Sequence, residues 1–169
     1  MEKIKSIIDI IGVLGTVFSV ISAILVTFWT IRGFIPVLIR LGYGLWRRKI
    51  AIIATGDTLN SLEGLLSDSK LFNTTNVIRI AGQAELEAAS RASILLVYWP
   101  DCSGFIDEVL VHKKEQTALI VYAPYSGGPI PGEVMQKLEQ RKHVVVNNFR
   151  GRLMNDIVTS MITTGYEKR

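Results

Sequence analysis

An uncharged apolar stretch near the amino terminus constrains this chain more than any other feature of its sequence. From Ile10 through Ile31 it has 22 residues without a charged side chain or a proline. A helix rises about 1.5 Å per residue and a bilayer core is about 30 Å thick, so this stretch is long enough to cross a membrane. We predict a retained transmembrane helix. A cleaved signal peptide would have a shorter apolar run, and it would end in small residues where this chain has Phe28, Trp29 and Thr30.

Length and composition limit the rest of the chain to one domain. The chain has 169 residues, of which 49% are hydrophobic and 20% are charged. This length accommodates one domain of ordinary size beside a short anchor. The high aliphatic content and the formal charge of only +4 argue against a disordered chain. The single cysteine, Cys102, excludes a disulfide scaffold.

The positive charge is concentrated around the predicted span. Residues 1–49 contain seven lysines and arginines and two acids, a net of +5, whereas residues 50–169 contain 12 bases and 13 acids, a net of −1. A nucleic-acid-binding domain needs a basic surface, so no nucleic-acid partner is predicted. Five of the bases follow the span closely. The positive-inside bias therefore predicts a single-pass protein of the inner (cell) membrane with a cytoplasmic C-terminal domain.

The segment after the span is apolar but too short to cross a bilayer comfortably. Its run GFIPVLIRLGYGLW has 14 residues and is interrupted by Pro36 and Arg40. We predict an interfacial amphipathic helix or linker, with the Arg40 side chain reaching the lipid phosphates, and a tight membrane hairpin is the alternative. The predicted boundaries are 1–32 for the anchor, 33–48 for this linker and 49–169 for the cytoplasmic domain.

Small residues recur at helical spacing within the predicted span. They are Gly12, Gly15, Ser19 and Ala23. Small residues on one face allow helices to approach closely in lipid, which predicts a homo-oligomer of packed anchors. The alternative is that such residues are simply common in membrane helices.

Five short apolar runs in the C-terminal part predict an α/β domain. Most are apolar at every position, as in strands that are buried on both faces of a parallel sheet, and segments with helical spacing separate them. Right-handed crossovers then predict a three-layer, flavodoxin-like parallel sheet of five strands in the order 2-1-3-4-5. The predicted strands are Ile50–Ala54, Val77–Ala81, Ile94–Trp99, Ala118–Ala123 and His143–Val146.

The residues just beyond the predicted strands form a candidate ligand site. Sheets of this kind bind ligands at the carboxyl ends of the strands, and Gly, Ser and Thr at helix starts suit phosphate, so a nucleotide-type ligand is predicted. Two alternatives are ordinary helix caps, by Asp57 or Thr58 and by Asp101 or Ser103, and a flexible turn or lid over residues 126–128. The candidate ligand-binding residues are Thr55, Gly56, Asp57, Asp101, Ser103, Tyr125, Ser126 and Asn147.

Other kinds of site are not predicted. No GxGxxG or P-loop pattern is present, and the nucleophile elbow GxSxG is missing as well. Neither His112 nor His143 has a partner at metal-ligand spacing, so no metal site is predicted. Cys102 is expected to be buried rather than reactive.

Residues 90–114 read SRASILLVYWPDCSGFIDEVLVHKK, and TALIVYAP follows shortly after. This pattern resembles Toll/interleukin-1 receptor-like (TIR-like) domains, over roughly residues 48–160. In enzymatic members of that family, a glutamate on the helix after the third strand assists cleavage of NAD at the nicotinamide bond. The resemblance therefore implies Glu108 as a catalytic residue and an NAD-like ligand. The family's usual Ser-x-Trp-Cys-x-x-Glu run is altered here, with Phe105 in place of Trp and one residue fewer after Ser103.

The same stretch is similar to response-regulator receiver domains, which share the flavodoxin-type sheet. That resemblance places the phosphoacceptor at Asp101, but Ala123 stands in place of the family's Thr or Ser and Asn147 in place of its Lys. Phosphotransfer is therefore not implied.

An N-terminal span joined to a cytoplasmic nucleotide-sensing domain is similar to bacterial antiviral membrane effectors. The similarity implies a signalling or effector protein in which a nucleotide or a signalling partner drives oligomerisation and the anchors then disturb the bilayer. The alternatives are a membrane-tethered TIR-like NAD hydrolase and a passive membrane adaptor.

Overall fold

The computed structural model describes residues 2–166, and it describes their side chains except those of residues 2–9, 38, 40, 41, 43–45, 165 and 166. The expected contact of the Arg40 side chain with lipid phosphate lies outside the described residues. The chain divides into two compact units, Met1–Gly42 and Tyr43–Arg169.

One long helix, α1 (Glu2–Trp46), forms the amino-terminal part. Its stretch Ile10–Val37 has a mean hydropathy of 2.4 and no buried residues, so by length and composition it is able to span a membrane. Two hydroxyls in this stretch bond within the helix. Thr16 Oγ1 donates to the Gly12 carbonyl at 2.9 Å, and Thr30 Oγ1 donates to the carbonyl four residues before it at 2.8 Å. Helical backbone with satisfied polar groups is the form that lipid requires.

The helix continues through Gly33 and Pro36 without a break. A proline inside a helix removes one backbone hydrogen bond, and apolar helices tolerate that loss. The chain therefore does not turn back after residue 32, as the hairpin alternative requires. The interfacial placement of residues 33–48 stays a prediction.

The C-terminal part contains the predicted α/β fold. All strand pairs are parallel, and the order is β2-β1-β3-β4-β5, as the sequence predicts. The strands are β1 (Ile50–Ile53), β2 (Val77–Ile80), β3 (Ile94–Tyr98), β4 (Ala118–Tyr122) and β5 (Val144–Asn147).

Helices cover both faces of the sheet and enclose two apolar cores. On one face, α2 (Gly56–Asp68) and α6 (Leu153–Tyr166) pack against alternate strand residues such as Leu96. The neighbouring strand residues, such as Leu95, point to the other core, where three further elements pack. These are a 3₁₀ helix (Gln83–Arg91), α4 (Ile106–His112) and α5 (Gly132–Glu139).

Most strand ends differ from the sequence-based expectation by one residue, as where β1 ends at Ile53 rather than Ala54, and three further local details differ as well. Trp99 does not end β3 but begins a short helix, α3 (Trp99–Cys102), because the following Pro100 favours a helix start. His143 does not open β5 but precedes it, with a φ of 56°. The segment carrying Leu86 and Ala89 is a 3₁₀ helix, whose three-residue period brings these two buried side chains to one side.

Candidate functional site

The carboxyl ends of β1 and β3 lie side by side where the winding of the sheet changes direction, because β1 pairs with both β2 and β3. Thr55 follows β1 and Asp101 follows β3, and a pair of hydrogen bonds joins them. Asp101 Oδ2 accepts from the Thr55 backbone N–H at 2.6 Å and from its hydroxyl at 2.8 Å. Two of the predicted ligand-binding residues are therefore in contact, and a carboxylate occupies the point where such sheets bind ligands.

The start of α2 explains this geometry. Thr55 holds the N-cap position in an extended conformation, but its side chain does not cap the helix, because its hydroxyl donates to Asp101. Gly56 has a φ of 52°, which a residue without a Cβ adopts at little cost and which turns the chain from β1 into α2. The expected cap at Asp57 or Thr58 is therefore wrong. Asp57 lies in the first turn of the helix.

The two residues after Asp101 do not contribute to this contact. Cys102 is fully buried, and its Sγ lies 3.5 Å from the Ile53 carbonyl. Burial, together with the negative charge of Asp101, raises the pKa of the Cys102 thiol to about 12, and the expectation of a buried cysteine is confirmed. Ser103 is exposed and stands at the C-cap of α3. Asp101 does not cap α3 itself, which contradicts the capping alternative for it.

The loop after β4 is a packed turn. Tyr125, Ser126 and Gly127 form a 3₁₀ turn in which the Gly127 N–H donates to the Pro124 carbonyl at 2.8 Å. A Cβ at Gly127 would overlap the Pro100 ring, so the turn lies directly against the start of α3. Tyr125 is 82% exposed and Ser126 is exposed, so their side chains are accessible to a ligand.

We expect Gly127→Ala to destabilise the domain by about 1–3 kcal/mol, because the new methyl group overlaps the rigid Pro100 ring. Urea unfolding in detergent, followed by circular dichroism, measures the change. Gly132→Ala is the matched control, because a Cβ there meets no atom within 4 Å. Adding Pro100→Ala to Gly127→Ala should recover part of the loss. A Gly127→Ala protein as stable as the control would contradict the close approach of the two turns.

Asn147 ends β5 and holds together the segment that follows it. Its Oδ1 accepts from the Phe149 N–H at 2.6 Å, and its Nδ2 donates to Asp156 of α6. The side chain is also buried. Its amide is therefore engaged at both ends, and its ligand-binding role stays a prediction.

Glu108 lies in the first turn of α4 and is half-buried. Its Oε1 accepts from Gln83 Nε2 at 3.2 Å, at the start of the 3₁₀ helix that follows β2. Within the described residues, no hydrogen bond joins Glu108 to Thr55 or Asp101. The structure thus links Glu108 to the end of β2 and Asp101 to the end of β1.

No family model, curated protein or solved structure matches this chain. The fold is flavodoxin-like, and the finer TIR-like resemblance stays a prediction.

Sequence reasoning missed an aromatic pair at this edge. Tyr98 and Tyr122 end β3 and β4, stand opposite each other in the register, and have ring centroids 5.8 Å apart. The signal was present, because the two strands read ILLVY and ALIVY and both end on tyrosine. The pair closes the apolar core of the α2 and α6 face directly below the carboxyl edge.

The small residues of α1 lie on exposed helix surface. Gly12, Gly15, Ser19 and Ala23 are all exposed, and a Cβ at either glycine would meet no atom within 4 Å. Their spacing places them along one side of the helix. Packing of this face against a second copy stays a prediction.

Proposed function

We propose that this protein is a membrane-anchored signalling or effector protein, of the kind used in antiviral defence. Its cytoplasmic domain senses a nucleotide-type ligand or a partner, oligomerises, and disturbs the bilayer through the packed α1 helices. The observation that carries this proposal is the contact between Asp101 and Thr55 at the switch point of the sheet.

This contact has the chemistry of an anion site that the chain fills with its own carboxylate. The Thr55 N–H lies at the start of the 13-residue helix α2, where backbone amides and the helix dipole favour negative charge. Thr55 is exposed and Asp101 is half-buried, so solvent and ligands reach both. A phosphate that displaces the Asp101 carboxylate would accept hydrogen bonds from the Thr55 N–H and hydroxyl in its place. The turn after β3, which carries Asp101, would then be released from β1. Ligand binding would then shift the population between two arrangements of this edge.

The test uses the full chain in detergent, with ATP, NAD and cyclic dinucleotides as probes. We expect one of them to raise the unfolding temperature and enlarge the oligomer. Asp101→Asn should tighten its binding by roughly 10- to 150-fold, because a hydrogen bond to a charged group contributes about 1.5–3 kcal/mol and the charge that competes with phosphate is removed. Asp107→Asn is the matched control, since Asp107 is exposed and pairs with Lys137 instead.

If none of these nucleotides changes stability or oligomer size in either variant, the sensor proposal fails and a passive adaptor becomes the better reading. The same samples test the enzymatic alternative. We expect no release of nicotinamide from NAD. Release that is lost in Glu108→Gln would instead establish a TIR-like NAD hydrolase.

A further inference from the structure

The parallel sheet brings the starts of all five strands to one side of the domain, which we call the amino edge. The segments that lead into the strands are residues 47–49, 69–76, 91–93, 113–117 and 140–143. They contain nine lysines and arginines and one acid, Glu115. The nine bases are Arg47, Arg48, Lys49, Lys70, Arg91, Lys113, Lys114, Arg141 and Lys142.

The opposite edge of the sheet carries more acids than bases, although Arg150 and Arg152 follow β5 there, so a near-zero net charge conceals a separation of charge. Acids occupy the first turns of the helices that follow the strands, together with Asp101. Helix dipoles favour acids at helix starts and bases at helix ends. Helix dipoles do not explain all nine bases of the amino edge. The helix α2 has no base in its last turn, and most of the nine bases lie beyond the helix ends.

Several of the amino-edge bases are accessible. Lys49, Lys70, Arg91, Lys114 and Arg141 are exposed. Arg48 is instead held within the domain, where its guanidinium donates to the Thr164 hydroxyl at 2.9 Å. Lys113 is buried and Lys142 pairs with Glu115 at 2.8 Å. These five exposed cations are therefore able to face a partner.

A groove lies in the middle of this edge, between residues 90–93 and 114–117. Its volume is about 470 Å³, and Arg91, Lys114 and the hydroxyl-bearing Ser90 and Ser93 contribute to its lining. Glu115 lines it as well, and its carboxylate is paired with Lys142. That volume is within the range of sites for small ligands, about 300–1,000 Å³, and therefore accommodates a phospholipid headgroup. Cations and hydroxyls are groups that bind phosphate.

The amino edge is also where the chain arrives from α1. Only residues 38–49 separate Val37, the end of the apolar stretch, from the first residue of β1. We infer that the amino edge is a docking surface for the anionic lipid headgroups of the membrane that holds α1. This inference rests on the membrane anchoring in the proposed function and adds the surface and the lipid class.

The expected strength of docking follows from the attraction between exposed bases and an anionic membrane surface. Each base near an anionic surface strengthens binding by about fivefold, and salt screens the attraction because the Debye length is only about 8 Å at physiological ionic strength. Five exposed bases on a domain that is already tethered are sufficient to favour a docked state.

The test uses the full chain in nanodiscs of phosphatidylcholine, with or without phosphatidylglycerol. A donor dye on Gln116→Cys reports the amino edge, and a dye on Asn148→Cys reports the carboxyl edge. Both positions are exposed, whereas Cys102 is buried and does not take up label in the folded protein. The acceptor dyes for energy transfer are attached to lipid headgroups in the same nanodiscs. Phosphatidylglycerol should raise energy transfer from Gln116→Cys more than from Asn148→Cys, and high salt should reverse the increase.

Three amino-edge charges are then removed together, by Arg91→Gln, Lys114→Gln and Arg141→Gln. The ratio of docked to undocked domain should fall by roughly 100-fold, which abolishes the response to phosphatidylglycerol. The matched control removes three exposed bases elsewhere, by Arg79→Gln, Lys137→Gln and Arg152→Gln, and should keep the response. Equal thermal unfolding midpoints show that both variants remain folded.

Two results would overturn the inference while leaving the anchoring intact. One is energy transfer that is the same in both lipid compositions, and the other is an equal loss of the response in the two triple variants. A chain that does not enter nanodiscs at all would instead overturn the proposed function, and the docking surface with it.

Discussion

Two arginines in the middle of α1, Val20→Arg and Ile24→Arg, should release the chain from the membrane. Both positions are exposed on the helix, one turn apart and near the centre of Ile10–Val37. An arginine at the centre of a membrane helix costs about 2.5–3.5 kcal/mol, so the pair costs about 5–7 kcal/mol. We expect the unmodified chain to stay in membranes washed with alkaline carbonate and the double variant to leave them.

The matched control is the pair Val20→Leu and Ile24→Leu, which keeps the apolar surface and should remain in the membrane. Recovery of the unmodified chain in the soluble fraction without detergent would contradict the span itself. A double arginine variant that resists carbonate as well as the control would show that another segment holds the chain.

Leu96→Ala should lower the free energy of unfolding of the C-terminal domain by about 2–5 kcal/mol. Leu96 is fully buried in β3, which pairs with β1 and β4, so the neighbouring strands cannot easily close the cavity that the truncation leaves. Domains of this kind have a total stability of about 5–15 kcal/mol, so the loss is a large share of it. Urea unfolding in detergent micelles, monitored by circular dichroism, measures the change.

Val111→Ala provides the comparison, because Val111 lies on α4 with 79% of its surface exposed. This truncation should change stability by less than about 0.5 kcal/mol. Losses of equal size in the two variants would contradict the placement of Leu96 in the core.

The fold was predictable because its strands carry a strong signal. β3 (ILLVY) and β4 (ALIVY) are apolar at every position, as a strand that is covered by helices on both faces requires. Right-handed crossovers then leave few strand orders, and the structure has the expected one. The end of α1 was harder to predict, because Pro36 suggests a break that the helix does not make.

The candidate site was predictable as a set of residues but not as an arrangement. Thr55 and Asp101 were predicted as ligand-binding residues because each follows a predicted strand. Their contact depends on the left-handed turn at Gly56 and on α3 beginning at Trp99, and neither can be read from residue type alone. Asn147 shows the same limit. Its side chain is used by Phe149 and Asp156, which follow it on the chain, and no pattern in the sequence indicates that use.

The position of β1 inside the sheet has a consequence for how the protein is made. β1 emerges first from the ribosome, yet both of its neighbours come later, and its partner Ile94 in β3 lies 44 residues further along the chain. At about 5–20 residues per second, synthesis takes roughly 2–9 s to supply that partner. β2 emerges before β3, since Val77 lies 27 residues after its partner Ile50, so the IAII segment has only one of its two neighbours until β3 follows, at a stage when the apolar stretch of α1 has already been synthesised. We therefore expect the half-paired β1 edge to be the part of the nascent domain that is most exposed to aggregation until β3 is made.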